Sequence, residues 1–164
     1  MELVKETCFV KGSGDVLEND EFYEWLRKLS LTGDITLCIG GTGQINRAFK
    51  NKGLDICFGK SGRIITDPEE LKLATAILRK NRKKVKKKLK ELDIHLKKVI
   101  IPVIKIGGVS CYVNGDLVLL CALNGYRYLY AATLIRRTIE KKEFFKKYDG
   151  PGKKINVVGF KETR

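Results

Sequence analysis

Lys11-Gly12-Ser13-Gly14 stands directly after the apolar run Cys8-Phe9-Val10. Glycines in such a turn let a ligand come close to the backbone and accept positive φ. A helix starting after the turn offers unpaired N–H groups and the positive end of its dipole. A lysine there adds a mobile positive charge for a phosphoryl group. The turn is neither a GxxxxGKS/T loop nor a GxGxxG fingerprint. Gly40-Gly41-Thr42-Gly43-Gln44-Ile45-Asn46 repeats the idea after a second apolar run, Ile35 to Ile39. Two Gly-rich strand-to-helix turns favour a phosphate cradle over two tight connections.

Two further groups of residues have types suited to an anion. Arg63 precedes Thr66-Asp67. It reads either as a surface arginine or as a bidentate partner for a carboxylate or phosphate. Asn114-Gly115-Asp116 marks a strand-to-helix junction. Asp116 reads either as the helix cap or as the carboxylate that orders Lys11 and other positive groups.

The elements that must position these residues follow from periodicity. Residues 2–10 read as a strand ending at Gly12. Asp15 to Leu29 reads as a helix with Phe22, Trp25, Leu26 and Leu29 on one face. Gln44 to Lys52 reads as a helix, and 54–66 as a loop. The clearest helix opens at Asp67 with Pro68, Glu69 and Glu70 in its first turn. Leu71, Ala74, Leu78, Val85, Leu89 and Leu92 give it an apolar stripe, and lysines and arginines fill its other face. Val99 to Ile106 reads as one buried strand and Ser110 to Val113 as a short one. A helix over Asp116 to Asn124, a strand from Tyr126 to Thr133, a helix over 134–148 and a strand from Ile155 to Phe160 complete the expected elements. Alternating strands and helices imply an α/β three-layer sandwich, with a mainly parallel central sheet and helices on both faces. Residues 1–164 read as one domain.

The chain carries 33 Lys and Arg against 19 Asp and Glu, a formal net charge of +14. Such an excess draws anions: nucleic acid, phosphorylated metabolites or acidic surfaces. The basic helix face over 79–90 lacks interleaved aromatics, which makes nucleic acid the less favoured partner and a small anionic molecule the favoured one. Five cysteines with no CxxC pair read as free thiols of a reducing compartment rather than a disulfide framework. The lone His95 reads as a helix-end or loop residue. No apolar run approaches a membrane span and no leader pattern opens the chain, so a cytoplasmic location without membrane contact is expected.

The four groups occur in the order found in the amino acid kinase family, which includes acetylglutamate kinase, uridylate kinase and aspartokinase. Phe9 to Gly14 resembles that family's first-strand Lys-x-Gly/Ser-Gly motif, and Ile39 to Asn46 its Gly-Gly-Gly-x-Gln-Ile-Asn turn. Gly62 to Asp67 resembles its Gly-x-Arg-Val-Thr-Asp loop, and Asn114 to Asp116 its Asn-Ala-Asp. The resemblance covers roughly residues 5–133 and implies a shortened member with a reduced C-terminal nucleotide-binding region. It implies an ATP-dependent small-molecule kinase acting on an acidic or phosphorylated metabolite, with Mg2+ held through the nucleotide phosphates and a homo-oligomeric assembly. Lys11 and Asp116 would be catalytic. Gly12, Ser13, Gly14 and Lys153 would hold the nucleotide, and Gly40, Gly41, Arg63 and Asn114 the substrate. The alternatives are an inactive relative that binds an anionic ligand or a partner protein, and a nucleic-acid-binding module using the helix at 79–90.

Overall fold

A computed structural model describes residues 6–60, 62–152 and 154–162. In chain order its elements are β1 (Glu6–Gly12), α1 (Asp20–Ser30), β2 (Gly33–Ile39), α2 (Thr42–Asn51), β3 (Cys57–Gly59), β4 (Gly62–Ile64) and α3 (Pro68–Glu91). Then follow β5 (Lys98–Ile100), β6 (Val103–Ile106), β7 (Val109–Tyr112), α4 (Gly115–Cys121), β8 (Tyr128–Leu134), α5 (Thr138–Lys146) and β9 (Ile155–Phe160).

Five strands form one sheet in the order β5-β2-β1-β8-β9, and every neighbouring pair is parallel. Parallel strands covered on both faces must be apolar on both, and β1 and β2 are buried along most of their length. Alternation divides the β1 side chains. Cys8 and Val10 join a cluster with Phe22, Tyr23 and Leu26 of α1 and Val85 and Leu89 of α3. Phe9 joins the opposite cluster, with Leu119 of α4 and Phe145 of α5. Lys11 lies two residues beyond Phe9 and therefore shares the α4/α5 face. A third cluster packs Ile45 and Phe49 of α2 against Ala74 and Leu78 of α3.

The α3 boundary falls where its cap residues put it. Asp67 accepts hydrogen bonds from the Glu69 and Glu70 N–H groups at 2.8 and 3.1 Å. The helix expected from Asp15 begins later, at Asp20. Gly14–Val16 forms a 3-10 turn instead, and Asn19 caps α1 through the Glu21 and Phe22 N–H groups. The single strand expected over Val99 to Ile106 is two strands in two sheets. Pro102 has no N–H to continue the ladder. Beyond it the chain leaves the main sheet and turns back as the antiparallel hairpin β6–β7. Gly107 and Gly108 supply that turn with φ of 55° and 86°. The expected loop at 54–66 holds a second small hairpin, β3–β4. The last helix starts at Thr138, after a 3-10 turn over Ile135–Arg137. Among the described residues no helix is long and apolar enough to cross a membrane.

Phe22 has no exposed surface, and its ring meets Tyr23, Trp25 and Phe160 at 5.4 to 6.2 Å between centroids. Phe22→Ala should cost about 3–5 kcal/mol of folding stability. Urea unfolding checks this; a loss under about 1 kcal/mol would mean that α1 does not pack on the sheet as described.

Candidate functional site

Lys11 leaves the end of β1 where the chain order reverses, between β2 on one side and β8 on the other, the usual place for a ligand crevice in a parallel sheet. Its Nζ donates to Ser13 Oγ at 3.0 Å and stands 3.2 Å from Asp116 Oδ1. Lys141 of α5 reaches the same carboxylate from the other side and donates to Oδ2. The three side chains are almost sealed: Lys11 and Lys141 are each 8% exposed, and Asp116 is 5% exposed. Burial pushes the Asp116 carboxyl up, but Lys11 and Lys141 pull it down further, and it settles below the ordinary carboxylate value. Lys141 is lowered by burial and by Lys11, with Asp116 opposing. Beneath them, Cys38 faces Lys11 across the β1–β2 pair. Burial pushes its thiol up to about 12, against the pull of Lys11, so it is no nucleophile.

Local structure explains why these residues meet. Asn114, not Asp116, caps α4, accepting from the Asp116 N–H at 3.1 Å. Asp116 is thereby free to turn inward from the first helical turn. Gly115 is small for a reason: a Cβ there would sit 2.9 Å from Lys11 Cε. The glycines of the two turns serve close approach rather than positive φ, since Gly12, Gly14, Gly40 and Gly41 all lack it. A Cβ on Gly14 would lie 3.1 Å from Gly41 Cα, and one on Gly40 would lie 3.3 Å from the Gly12 carbonyl. Gly41 also begins α2 with no side-chain cap. α1, α3 and α4 are closed by Asn19, Asp67 and Asn114. Among the described residues, the first N–H groups of α2 thus have no side-chain cap beside the cleft.

That cleft holds about 310 Å3 and is lined by Lys11, Ser13, Gly14, Gly40, Gly41, Asn114 and Asp116, all singled out from the sequence. Gly12 is not on its wall; a Cβ there would face the Phe22 ring at 3.3 Å. Arg63 does not line it either. Its guanidinium is folded back against α2, donating to Asn46 Oδ1 and to the Thr42 carbonyl. It lies over the rings of Phe49 and Phe58. At 7% exposed it is no surface arginine. Its Nε and Nη1 have no acceptor among the described residues. Lys153 lies outside the described residues.

Lys141 escaped the sequence reading, as did Tyr112, Arg137 and Phe144 on the same wall. A signal existed for Lys141. It stands four residues before the buried Phe145, so it occupies the core-facing stripe of α5. A lysine on such a stripe needs a buried partner.

No family model matches the sequence, and no curated protein matches it. Solved structures do share the fold. N-acetylglutamate synthase from Neisseria gonorrhoeae, crystallised with coenzyme A and L-arginine, superposes with a TM-score of 0.63 at 12% identity, over 80% of this chain and 44% of that one. The same synthase with coenzyme A and N-acetyl-glutamate gives 0.63 at 13% identity, over 80% and 42%. The protein smu.665 from Streptococcus mutans UA159 gives 0.58 at 11%, over 78% and 71%. The chain thus spans less than half the length of the two synthase chains.

The kinase expectation is corrected. Two of the structures matched are of a synthase crystallised with coenzyme A, and on that finding the amino acid kinase family and an ATP-dependent kinase using ATP and Mg2+ are withdrawn. The physical reason lies in the motifs. Two Gly-rich turns, a cap and a buried carboxylate are what a parallel sheet needs around any anion, whatever the chemistry.

Asp116 makes stability depend on acid. Its folded pKa lies below the unfolded value of about 3.9. Between those two values the unfolded chain binds more protons, so the contribution of Asp116 is complete above about pH 4 and is lost as pH falls through the folded pKa. Asp116→Ala, which strands two buried ammonium groups, should cost about 3–5 kcal/mol at pH 7. Its unfolding free energy should also lose part of its pH dependence below pH 4. Denaturant titrations at pH 3 and pH 7 check both; identical pH profiles for wild type and variant would refute the assignment.

Proposed function

We propose that the cleft between the β1 and β2 turns binds a small anionic molecule bearing phosphate or carboxylate groups. One observation supports this above the others: a buried carboxylate shared by two buried lysines, which leaves one positive charge uncompensated at the floor of the cleft. The uncapped start of α2 faces the same space, and Lys60 and Arg137 stand on its wall. Two ligands of the synthase structures fit that chemistry. Coenzyme A brings phosphates for the α2 N–H groups and the lysines. N-acetyl-glutamate brings two carboxylates. Either would complete the charge balance that Asp116 alone does not.

Calorimetry with coenzyme A and with N-acetyl-glutamate tests the proposal. Binding by one of them should weaken about tenfold or more in Lys11→Ala and in Lys141→Ala, since charge-assisted contacts carry about 1.5–3 kcal/mol each. Silence from both ligands at millimolar concentration would sink it.

A second reading is favoured by the coenzyme A and N-acetyl-glutamate of the matched synthase structures and by the place of Lys141 in the cleft wall, where burial and Lys11 lower its pKa. An ammonium that gives up its proton more readily than an ordinary lysine can serve, once neutral, as proton acceptor for an attacking amine. In acyl transfer the amine forms a C–N bond to the thioester carbonyl of acetyl-coenzyme A and loses its proton. The C–S bond breaks, and the departing thiolate takes that proton back from Lys141, so that coenzyme A leaves as the thiol. Thiol release with glutamate as acceptor should therefore occur and should vanish in Lys141→Arg, which keeps the charge but not the titration. Undiminished release by that variant would overturn this role.

A further inference from the structure

The charge of +14 is not located in the cleft. Its described wall carries Lys11, Lys60, Arg137 and Lys141 against Asp15, Asp116 and Glu140, a near balance. The excess lies elsewhere, and α3 divides it unequally. At about 100° per residue, the core residues Leu78, Asn81, Val85 and Leu89 share one direction. Lys84 and Lys88 lie on one flank, where each has an acid: Lys84 meets Glu18 at 3.8 Å and Lys88 meets Asp20 at 3.0 Å. Arg79, Arg82, Lys83, Lys86 and Lys90 fall together on the other flank. Among the described residues none of these five has a carboxylate within ion-pair distance.

Three of the five, Arg82, Lys86 and Lys90, stand on one wall of a groove of about 950 Å3, whose other wall is β5 and the segment leading into it. Lys98 of β5 faces it without an acid, while Lys97 is 3.8 Å from Asp34. The one acid among the groove's described lining residues, Asp93, is hydrogen-bonded to His95 at 3.1 Å. The floor is aliphatic, with Leu89 and Ile94 buried in it. Arg82, Lys86 and Lys90 recur every four residues, so they form a ladder with steps of about 6 Å along the helix.

We propose that this groove holds the phosphate backbone of a double-helical nucleic acid, independently of whatever occupies the cleft. A row of unpaired cations at regular steps suits a polymer of fixed charge spacing and releases its counterions on contact. No Phe, Tyr or Trp lies between 79 and 100, so the stacking rings that single strands use most are missing from the groove. Nor does a large apolar side chain stand exposed over that span. An acidic membrane surface would call for inserted aromatic or aliphatic anchors, and the groove has none. Contact is therefore with phosphates and not with bases, and it is insensitive to sequence.

Fluorescence anisotropy with short labelled DNA and RNA duplexes, titrated over a range of salt, tests the proposal. The arm that binds identifies the source of the phosphates. The variant Arg82→Gln, Lys86→Gln, Lys90→Gln, Lys98→Gln should bind at least about tenfold more weakly, and its salt slope should fall by about 3 to 4, near 0.9 per phosphate contact. The variant Lys84→Gln, Lys87→Gln, Lys88→Gln, whose lysines each have an acid partner, should change affinity far less. Should the fourfold change unfold the chain, Lys86→Gln with Lys90→Gln, both on the surface, should lower the slope by about 2. Equal losses from the two flanks would reduce the effect to general charge and overturn the groove. So would failure to bind either duplex at low salt. Equal affinity for phosphatidylserine vesicles, lost in the same variant, would assign the groove to a lipid surface instead.

Discussion

A carboxylate with 5% of its surface exposed must be compensated, and the candidate site is organised around that need. Asp116 is compensated twice, by Lys11 from the sheet and by Lys141 from a helix 25 residues later in the chain. Each lysine would be costly to bury alone. Together with the carboxylate they tie β1, α4 and α5 at one point on one face of the sheet. The arrangement is also unfinished, because two cations around one anion leave a net positive charge in a place that water scarcely reaches. Removing the carboxylate therefore threatens the fold, whereas adding an anion satisfies it. Stability and the positive charge offered to an anion depend on the same three groups.

The sheet could be anticipated because its strands are buried on both faces and read as continuous apolar runs. The start of α3 could be anticipated because its cap is chemical: Asp67, Pro68 and two glutamates fix it. What the sequence did not show was where a run changes partner. Val99 to Ile106 is uniformly β-rich, yet Pro102 takes the second half out of the main sheet. Ile104, Ile106 and Val109 then stand exposed on a hairpin. Hydrophobic pattern says that a segment pairs, not with what.

The site was legible in a similar measure. Lys11 and Asp116 are brought together as their positions implied, and the two glycine turns lie side by side because β1 and β2 pair from Glu6–Gly33 to Gly12–Ile39. Lys141 went unnoticed because charge dominates its helix and hides the stripe it shares with Phe145. Arg63 had the right chemistry and another orientation, stacked over two rings behind the wall instead of on it. The kinase reading failed at a different level. Its motifs describe how a parallel sheet presents backbone and charge to an anion, and that is a property of the scaffold. Which anion binds, and whether a bond is made or broken, depends on the few side chains that line the rest of the cleft.

The protein thus presents positive charge in two physically distinct ways. In the cleft the charges are few, and the three at its floor, Lys11, Lys141 and Asp116, are shielded from solvent, so their interactions are strong and screened little by salt. Along the outer flank of α3 the charges are many, unpaired and solvated, so attraction there is long-ranged and falls steeply with ionic strength. A small ligand needs the first arrangement, because its few contacts must each be strong. A polymer is served by the second, because many weak contacts add. The same net charge of +14 can therefore support selective capture at one place and sequence-blind adhesion at another, and ionic strength separates the two experimentally.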